Sequence, residues 1–265
     1  IFSIGDTKAG TKMGKLQLKN LADDSVLNCI LWEEALNRID GKVFRTGNQV
    51  KILGGSYNEK YNNCLITSVE LVKEAKLGLD KDERDKLFNA IVEYANEIED
   101  EELKKYVTEL LFEHEEQFKI APAARLMHHN YLGGLVEHTF ECLEIAKCLI
   151  SNLYKKVDKS CVFAACILHD FGKIFEYKID TESGLIEYDE KFPKEWLTHS
   201  QWGFSNCMAH GFKTVAKMIA AHHGRAEWGA IVDLNEKDLD PLLYLVHHID
   251  DLSAKFGRTA ISDLG

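Results

Sequence analysis

An apolar run that ends in an adjacent histidine and aspartate is the feature that most constrains this chain. Residues 164–168 are apolar, His169 and Asp170 follow at once, and Gly172 allows a turn. Adjacent helical residues point roughly 100° apart, so both side chains reach one site only if that site lies beside the helix terminus. The sequence therefore predicts a buried helix that delivers an imidazole and a carboxylate to one point.

Other histidines and an aspartate occur in or beside segments with helical apolar spacing. They are His138, His199, His222, His223 and Asp250. Imidazole nitrogens and carboxylate oxygens suit borderline divalent metals. A lone inward histidine is usually a satisfied core residue, so the hypothesis depends on the ordered set. The set predicts a metal site assembled from several helices.

This ordered set resembles the signature of the HD phosphohydrolase superfamily. A narrower resemblance, to the YhaM-type 3'-5' exoribonucleases, rests on residues 128–129, 131–135, 167–173, 222–229 and 249–252. It runs from about residue 85 nearly to the end of the chain. The resemblance implies a hydrolase with two metals in one site.

The resemblance also implies roles for individual residues. The implied ligands of the first metal are His138, His169, Asp170 and Asp250, and those of the second are Asp170, His199, His222 and His223. Asp170 would bridge the two metals and act in catalysis. Asp251 is the alternative to Asp250 as the closing ligand.

Three further positions and one lysine are expected beside the metals. Substrate contacts are assigned to His128, His129 and Arg225. Lys173 is expected to act in catalysis by neutralising phosphate charge. The alternative for Lys173 is a helix-end lysine in solvent.

The ligand types also limit the choice of metal. So many imidazoles disfavour Mg²⁺, which prefers oxygen ligands and its own waters. We expect two divalent metals per chain, with Mn²⁺ preferred, partly from the resemblance, and with iron or zinc as alternatives.

Residues 1–76 are expected to form a separate β-rich domain. Apolar or alternating runs predict strands, and a brief helix is expected at 33–39. The strand order resembles an OB-fold, a five-stranded barrel that binds oligonucleotides. The predicted fold class is thus a two-domain α+β chain. A small N-terminal β-barrel (OB-fold) occupies 1–76, and linker helices with an all-α HD domain occupy 77–265.

Aromatic and basic side chains of residues 1–76 are candidates for gripping a nucleic-acid strand. Base stacking is assigned to Phe44, Tyr57 and Tyr61, and phosphate contact to Lys15, Arg45, Lys51 and Lys60. The alternatives are core aromatics and a solvated face, and Trp32 is assigned to the core. The net charge is +2 over residues 1–76 but −13 over the remainder, as in a nucleic-acid module fused to a metal-binding domain; the alternative is a chance distribution, because +2 is a small number.

Helical periodicity divides the rest of the chain. Helices are expected at 80–98, 101–117, 132–154, from Asp158 or Ser160 to 169, from Pro193 through His199, at 212–223 and at 242–255, with a short β excursion at 175–188.

Composition restricts the class of protein. The chain has 265 residues, of which 45% are apolar, and no apolar run approaches the roughly 18 residues of a membrane span. Its seven cysteines form no Cys-x-x-Cys pair and are expected to be buried reduced thiols. We therefore expect a cytoplasmic protein with no membrane partner.

Three functions are compatible with these observations. The first is a metal-dependent 3'-5' exonuclease on single-stranded RNA or DNA, expected as a homo-oligomer. The second is a hydrolase of a small nucleotide. The third is a nucleic-acid-binding regulator with a structural metal, which a two-metal ligand set disfavours because a structural site fills its own coordination.

Overall fold

The computed structural model describes residues 2–23, 25–44, 47–74, 76–125, 128–152, 157–182, 184, 186–195 and 198–257. These residues fall into two compact units, one ending at Lys76 and the other beginning at Leu77.

The N-terminal unit is built on five strands and one short helix. They are β1 (Phe2–Asp6), β2 (Lys12–Lys19), β3 (Val26–Trp32), α1 (Glu33–Arg38), β4 (Gln49–Asn58) and β5 (Asn63–Lys73). Aliphatic and β-branched residues dominate β3 and β5, as expected for half-buried strands. The predicted strands and the short helix after β3 are therefore present.

One sheet contains all five strands, in the order β1-β2-β3-β5-β4. Its pairs are antiparallel except β3 with β5, which is parallel. Among the described residues β1 and β4 are the two edges, so the expected closure into a barrel is not observed.

The core of this unit corrects two predictions about aromatic residues. Phe44 is only 8% exposed and lies in the hydrophobic cluster with Leu31 and Ile66, so its predicted role as an exposed stacking residue is wrong. Trp32 is 47% exposed rather than in the core. Side chains alternate along a strand, and Cys29 and Leu31 point inward, so Trp32 points outward.

Over its described residues, the C-terminal unit consists of helices, connecting loops and one hairpin. Its helices are α2 (Lys81–Asn96), α3 (Glu101–Glu113), α4 (Glu115–Ile120), α5 (Gly134–Ile150), α6 (Lys159–Leu168), α7 (Lys173–Glu176), α8 (Phe192–Glu195), α9 (His199–Ala209), α10 (Lys213–Ala221) and α11 (Pro241–Phe256). The hairpin pairs β6 (Tyr177–Ile179) with β7 (Ile186–Tyr188), which confirms the predicted β excursion.

Helix α6 lies at the centre of this unit. It is packed against α2, α3, α5, α10 and α11, and its residues from Val162 to Leu168 are all buried. The Asp158 carboxylate caps its first turn by accepting from the Cys161 amide at 3.2 Å. The predicted buried helix that ends at His169 is confirmed.

One helix begins later than its pattern predicted. Pro193 lies in α8, but His199 is the first residue of the next helix, α9. The Thr198 hydroxyl accepts from the Gln201 amide at 3.2 Å, which satisfies one of the free donors at that helix start. His199 is therefore held at a capped helix terminus.

Within the described ranges, every helix is too short or too polar to cross a bilayer. All seven cysteines are free; five are buried, Cys161 is half-buried and Cys148 is exposed.

Candidate metal centre

The residues expected to hold metals lie together in the helical unit. Five helices position them. Helix α5 carries His138 and α11 carries Asp250, α9 begins at His199, and the pairs His169-Asp170 and His222-His223 directly follow the last residues of α6 and α10.

One group of ligand atoms gathers around the His138 ring. Its Nε2 lies 3.2 Å from His169 Nε2, 3.2 Å from Asp250 Oδ1 and 3.5 Å from Asp170 Oδ2. His169 Nε2 lies 3.5 Å from Asp170 Oδ2 and 3.8 Å from Asp250 Oδ1. Two nitrogens and two carboxylate oxygens therefore converge on one point.

A second group faces the other oxygen of Asp170. His199 Nε2 lies 3.4 Å from Asp170 Oδ1 and 3.2 Å from His223 Nε2. His222 Nε2 lies 3.7 Å from the same Oδ1. The Asp170 carboxylate thus lies between the two groups, with one oxygen toward each.

Backbone carbonyls orient two of the histidines. His169 Nδ1 donates to the Cys166 carbonyl at 2.9 Å, and His222 Nδ1 donates to the Ile219 carbonyl at 2.6 Å. The last four carbonyls of a helix lack partners within the helix, and each histidine sits where one of them is available. A carbonyl can only accept, so Nδ1 carries the proton and Nε2 presents its lone pair.

Side chains orient two others. His199 Nδ1 lies 2.5 Å from Glu176 Oε2, so a carboxylate accepts its proton. His138 Nδ1 lies 2.8 Å from Ser253 Oγ, and that hydroxyl donates to Glu141 at 2.7 Å. Since the serine proton is used on Glu141, Ser253 accepts from Nδ1–H and leaves His138 Nε2 unprotonated.

Burial keeps the cluster in a form that can bind a cation. It lowers the pKa of His138 and His222 below the usual value, and it lowers the pKa of His223, with help from His199, to about 4. Burial alone would raise the pKa of Asp170, but the Lys173 ammonium and the histidines around it together outweigh burial and hold that pKa well below its usual range. Neutral imidazoles and an ionised carboxylate are the forms that bind metals.

These donors fit a divalent metal. His138 and His169 direct unprotonated Nε2 atoms at each other across 3.2 Å, which is repulsive unless a cation lies among them. Asp170 Oδ1 and His222 Nε2 are buried and have no hydrogen-bond partner among the described residues, as expected for ligand atoms. Clusters that could hold a metal include His138 with Cys142 and His169, and His199 with His222 and His223.

Lys173 lies inside the site rather than in solvent. Its side chain is 11% exposed, and Nζ lies 2.5 Å from Asp170 Oδ2. A buried ammonium beside the shared carboxylate is positioned to meet a phosphate that approaches the cluster.

The residues expected to contact substrate differ in exposure. His128 is half-buried, and its ring centroid lies 5.5 Å from that of His138. His129 is fully buried, and its Nε2 lies 3.2 Å from Glu141 Oε2. Arg225 is exposed, two residues past His223. His128, His129 and His138 form a third cluster that could hold a metal.

The candidates of the N-terminal unit are mostly exposed. Tyr57 and Tyr61 are 57% and 65% exposed, and the Lys60 ammonium lies 5.2 Å from the Tyr61 ring centroid. Lys15 and Lys51 are also exposed. Arg45 lies outside the described residues.

Four polar or thiol groups near the cluster were not anticipated. Glu141 and Ser253 each lie three residues after a candidate ligand on the same helix, a spacing that places them on the same face. Glu176 has no such signal, because the chain turns between Asp170 and α7. Cys142 Sγ lies 3.8 Å from His138 Nε2, and burial raises the pKa of that thiol well above its ordinary value.

A comparison with known families identifies the domain within the helical unit. Residues 135–255 match the HD domain family, so the helical unit contains an HD domain. The predicted resemblance to HD hydrolases, and the prediction that the chain is a hydrolase of this class, are confirmed.

A curated relative covers both units. The 3'-5' exoribonuclease YhaM of Geobacillus sp. (strain WCH70) is 28% identical to the chain over 268 residues, which span 94% of the chain and 79% of that protein. No solved structure matches the chain.

Proposed function

We propose that the chain is a metal-dependent 3'-5' exonuclease that hydrolyses phosphodiester bonds of single-stranded RNA or DNA. The observation that carries the proposal is the Asp170 carboxylate, whose two oxygens face two separate groups of imidazoles. The relative named a 3'-5' exoribonuclease supports the substrate and the direction.

Each cluster residue has a proposed task. His138, His169 and Asp250 would hold one metal, His199, His222 and His223 would hold another, and Asp170 would contribute an oxygen to each. Mn²⁺ is the preferred ion, with iron or zinc as alternatives. Two such metals, when bound, activate water and stabilise charge on the attacking and leaving oxygens. Lys173 neutralises phosphate charge beside Asp170.

The N-terminal unit is proposed to hold the strand as an OB-fold. Five strands in one sheet that is open between β1 and β4 agree with the partly open barrel of that fold. Exposed Tyr57 and Tyr61 stack bases, while Lys15, Lys51 and Lys60 contact phosphates. Residues 1–76 and 77–265 are then the binding domain and the catalytic HD domain.

Two further proposals concern the cellular setting. The protein is cytoplasmic and acts without a membrane partner. It assembles as a homo-oligomer, which light scattering coupled to size-exclusion chromatography tests directly.

The direction of cleavage tests the main proposal. A single-stranded RNA labelled at either end is incubated with the protein and Mn²⁺, with chelated protein as the control. The 5' label is expected in a ladder of shortening products, whereas the 3' label is released at once as a mononucleotide. Release from the 5' end first, or far faster hydrolysis of a cyclic dinucleotide, contradicts the proposal.

A further inference from the structure

The loop that follows the His222-His223 pair is fixed to the helix before it. The amides of Ile231 and Val232 both donate to the Ala220 carbonyl, at 2.8 and 3.0 Å, and the Leu234 amide donates to the Gly224 carbonyl at 2.8 Å. Within this closed loop, residues 226–228 form one 3-10 turn.

A side chain reinforces that turn. The Asp233 carboxylate accepts from the Ala226 amide at 3.1 Å and from the Asn235 amide at 2.8 Å. The Trp228 amide donates to the Arg225 carbonyl at 2.9 Å. The loop therefore presents its side chains from a backbone that several internal hydrogen bonds hold in place.

The loop displays an aromatic ring and a cation in solvent. Trp228 is 59% exposed, and the Arg225 guanidinium lies 4.9 Å from its ring centroid. The pair adjoins the metal centre: a Cβ at Gly229, the next residue, would lie 3.2 Å from His223 Nδ1. An exposed indole at such a place is available to a ligand that reaches the histidines.

We propose that Trp228 is a stacking platform for a nucleobase beside the scissile phosphate, and that Arg225 pairs with a neighbouring phosphate of the same strand. This inference rests on the proposed function, because it assigns the nucleic-acid contact to the catalytic unit. A base stacks on indole regardless of sequence, and a guanidinium forms paired hydrogen bonds with a phosphate. The indole face also supports the guanidinium by a cation–π contact.

Arg225 supplies local positive charge within an acidic unit. Residues 77–265 carry a net charge of −13, so a polyanion reaches the histidines only where cations offset it. Lys173 is buried beside Asp170, and Arg225 is exposed beside Trp228. One cation therefore lies within the cluster, and the other lies on the exposed loop that follows the His222-His223 pair.

An oligonucleotide without bases at its 3' end tests the inference. Two single-stranded RNA oligonucleotides, one normal and one with abasic residues at its last two positions, are hydrolysed by full-length wild type, Trp228→Ala and Trp228→Phe with Mn²⁺. Trp228→Ala is expected to raise KM for the normal oligonucleotide roughly 5- to 150-fold but to leave the abasic one within about twofold. Trp228→Phe is expected to restore most of the difference.

The controls separate the possible failures. Phe112→Ala, which removes an aromatic ring that is 56% exposed on α3, is expected to leave both KM values unchanged. Equal effects of Trp228→Ala on the two oligonucleotides, or no effect on either, overturn the platform. If Trp228→Ala lowers the melting temperature, the result for Trp228→Phe is used instead. A Trp228→Phe protein that still prefers the base-bearing oligonucleotide supports stacking, and one that has lost this preference overturns it. Failure of wild type to cut either oligonucleotide instead rejects the proposed function.

Discussion

Ser253 Oγ lies 2.8 Å from His138 Nδ1, and its own proton goes to Glu141 at 2.7 Å. Ser253, three positions after Asp250 on the same helix, therefore determines which ring nitrogen of His138 is unprotonated. The serine hydroxyl and the Glu141 carboxylate act on a candidate ligand without facing the convergence point themselves.

Removing that hydroxyl is expected to weaken metal binding. Ser253→Ala should lower metal affinity about 10- to 100-fold, because His138 is then free to place its proton on Nε2. Chelator competition measures the affinity, and Ser253→Thr should recover it. Ser160→Ala is the matched control, since Ser160 is a buried serine whose hydroxyl bonds the Glu99 amide instead. Equal losses in the two alanine variants would reject the orienting role.

Asp170 is expected to be indispensable for hydrolysis. Asp170→Ala should abolish turnover and lower metal content. It also leaves the buried Lys173 ammonium without its carboxylate partner, which should lower the free energy of unfolding by about 3–5 kcal/mol. The double variant Asp170→Ala/Lys173→Met should recover stability without recovering activity. Metal analysis, urea denaturation and rate assays measure the three effects. Turnover at a tenth of wild type contradicts the bridging assignment.

The metal-free protein is expected to gain stability as pH rises from about 4 to about 6.5. Burial lowers the pKa of His128 and of His223 to about 4, whereas an unfolded histidine titrates near 6.5. Between these values the unfolded chain binds more protons, so the free energy of unfolding increases with pH. Urea denaturation after chelation checks this, and His128→Gln/His223→Gln should flatten the slope. An unchanged slope would show that these two histidines do not cause it.

Gly172 is expected to tolerate no side chain. A Cβ there would lie 2.9 Å from His199 Cα and 3.0 Å from His199 O, and these backbone atoms cannot swing away. Gly172→Ala should displace His199, reduce activity at least tenfold and cost about 1–3 kcal/mol of stability. Gly5→Ala is the control, because a Cβ at Gly5 meets nothing within 4 Å. Full activity in Gly172→Ala would contradict the role of His199.

The exposed tyrosines of the N-terminal unit are expected to affect long substrates only. Tyr57→Ala/Tyr61→Ala should raise KM for a long oligonucleotide, since each stacked base contributes about 1–3 kcal/mol. Hydrolysis of a small activated phosphodiester should be unchanged. Leu21→Ala, at a residue that is 74% exposed in the same unit, is the control. Slowing of both substrates by the tyrosine variant would argue against strand binding there.

Sequence periodicity predicted the central parts of the fold and of the site. The apolar run of α6 and the inward spacing of His138 are enough to predict that both helices are buried and that His138 points inward. A buried helix must place such residues toward the core. Short segments without a period were less predictable. Phe44 ends a 3-10 turn at Gly41–Phe44, where no repeat indicates which face is buried.

The contacts that orient the histidines were the hardest part of the site to predict from the sequence. Glu176 reaches His199 at 2.5 Å across 23 positions of chain, a pairing that depends on how α7 and α9 pack. His129 is buried and has a φ of 51°, a left-handed conformation that the neighbouring residues in the sequence do not predict. Such contacts follow from tertiary packing rather than from local pattern.

The histidines of the site differ in how well their orientation survives substitutions of the residues around them. His169 and His222 are aimed by main-chain carbonyls of Cys166 and Ile219, which every amino acid supplies. His138 and His199 depend on a particular hydroxyl and a particular carboxylate. Random substitution around the cluster should therefore spare the first pair and disable the second, so divergent descendants would lose one imidazole from each metal group before losing the rest.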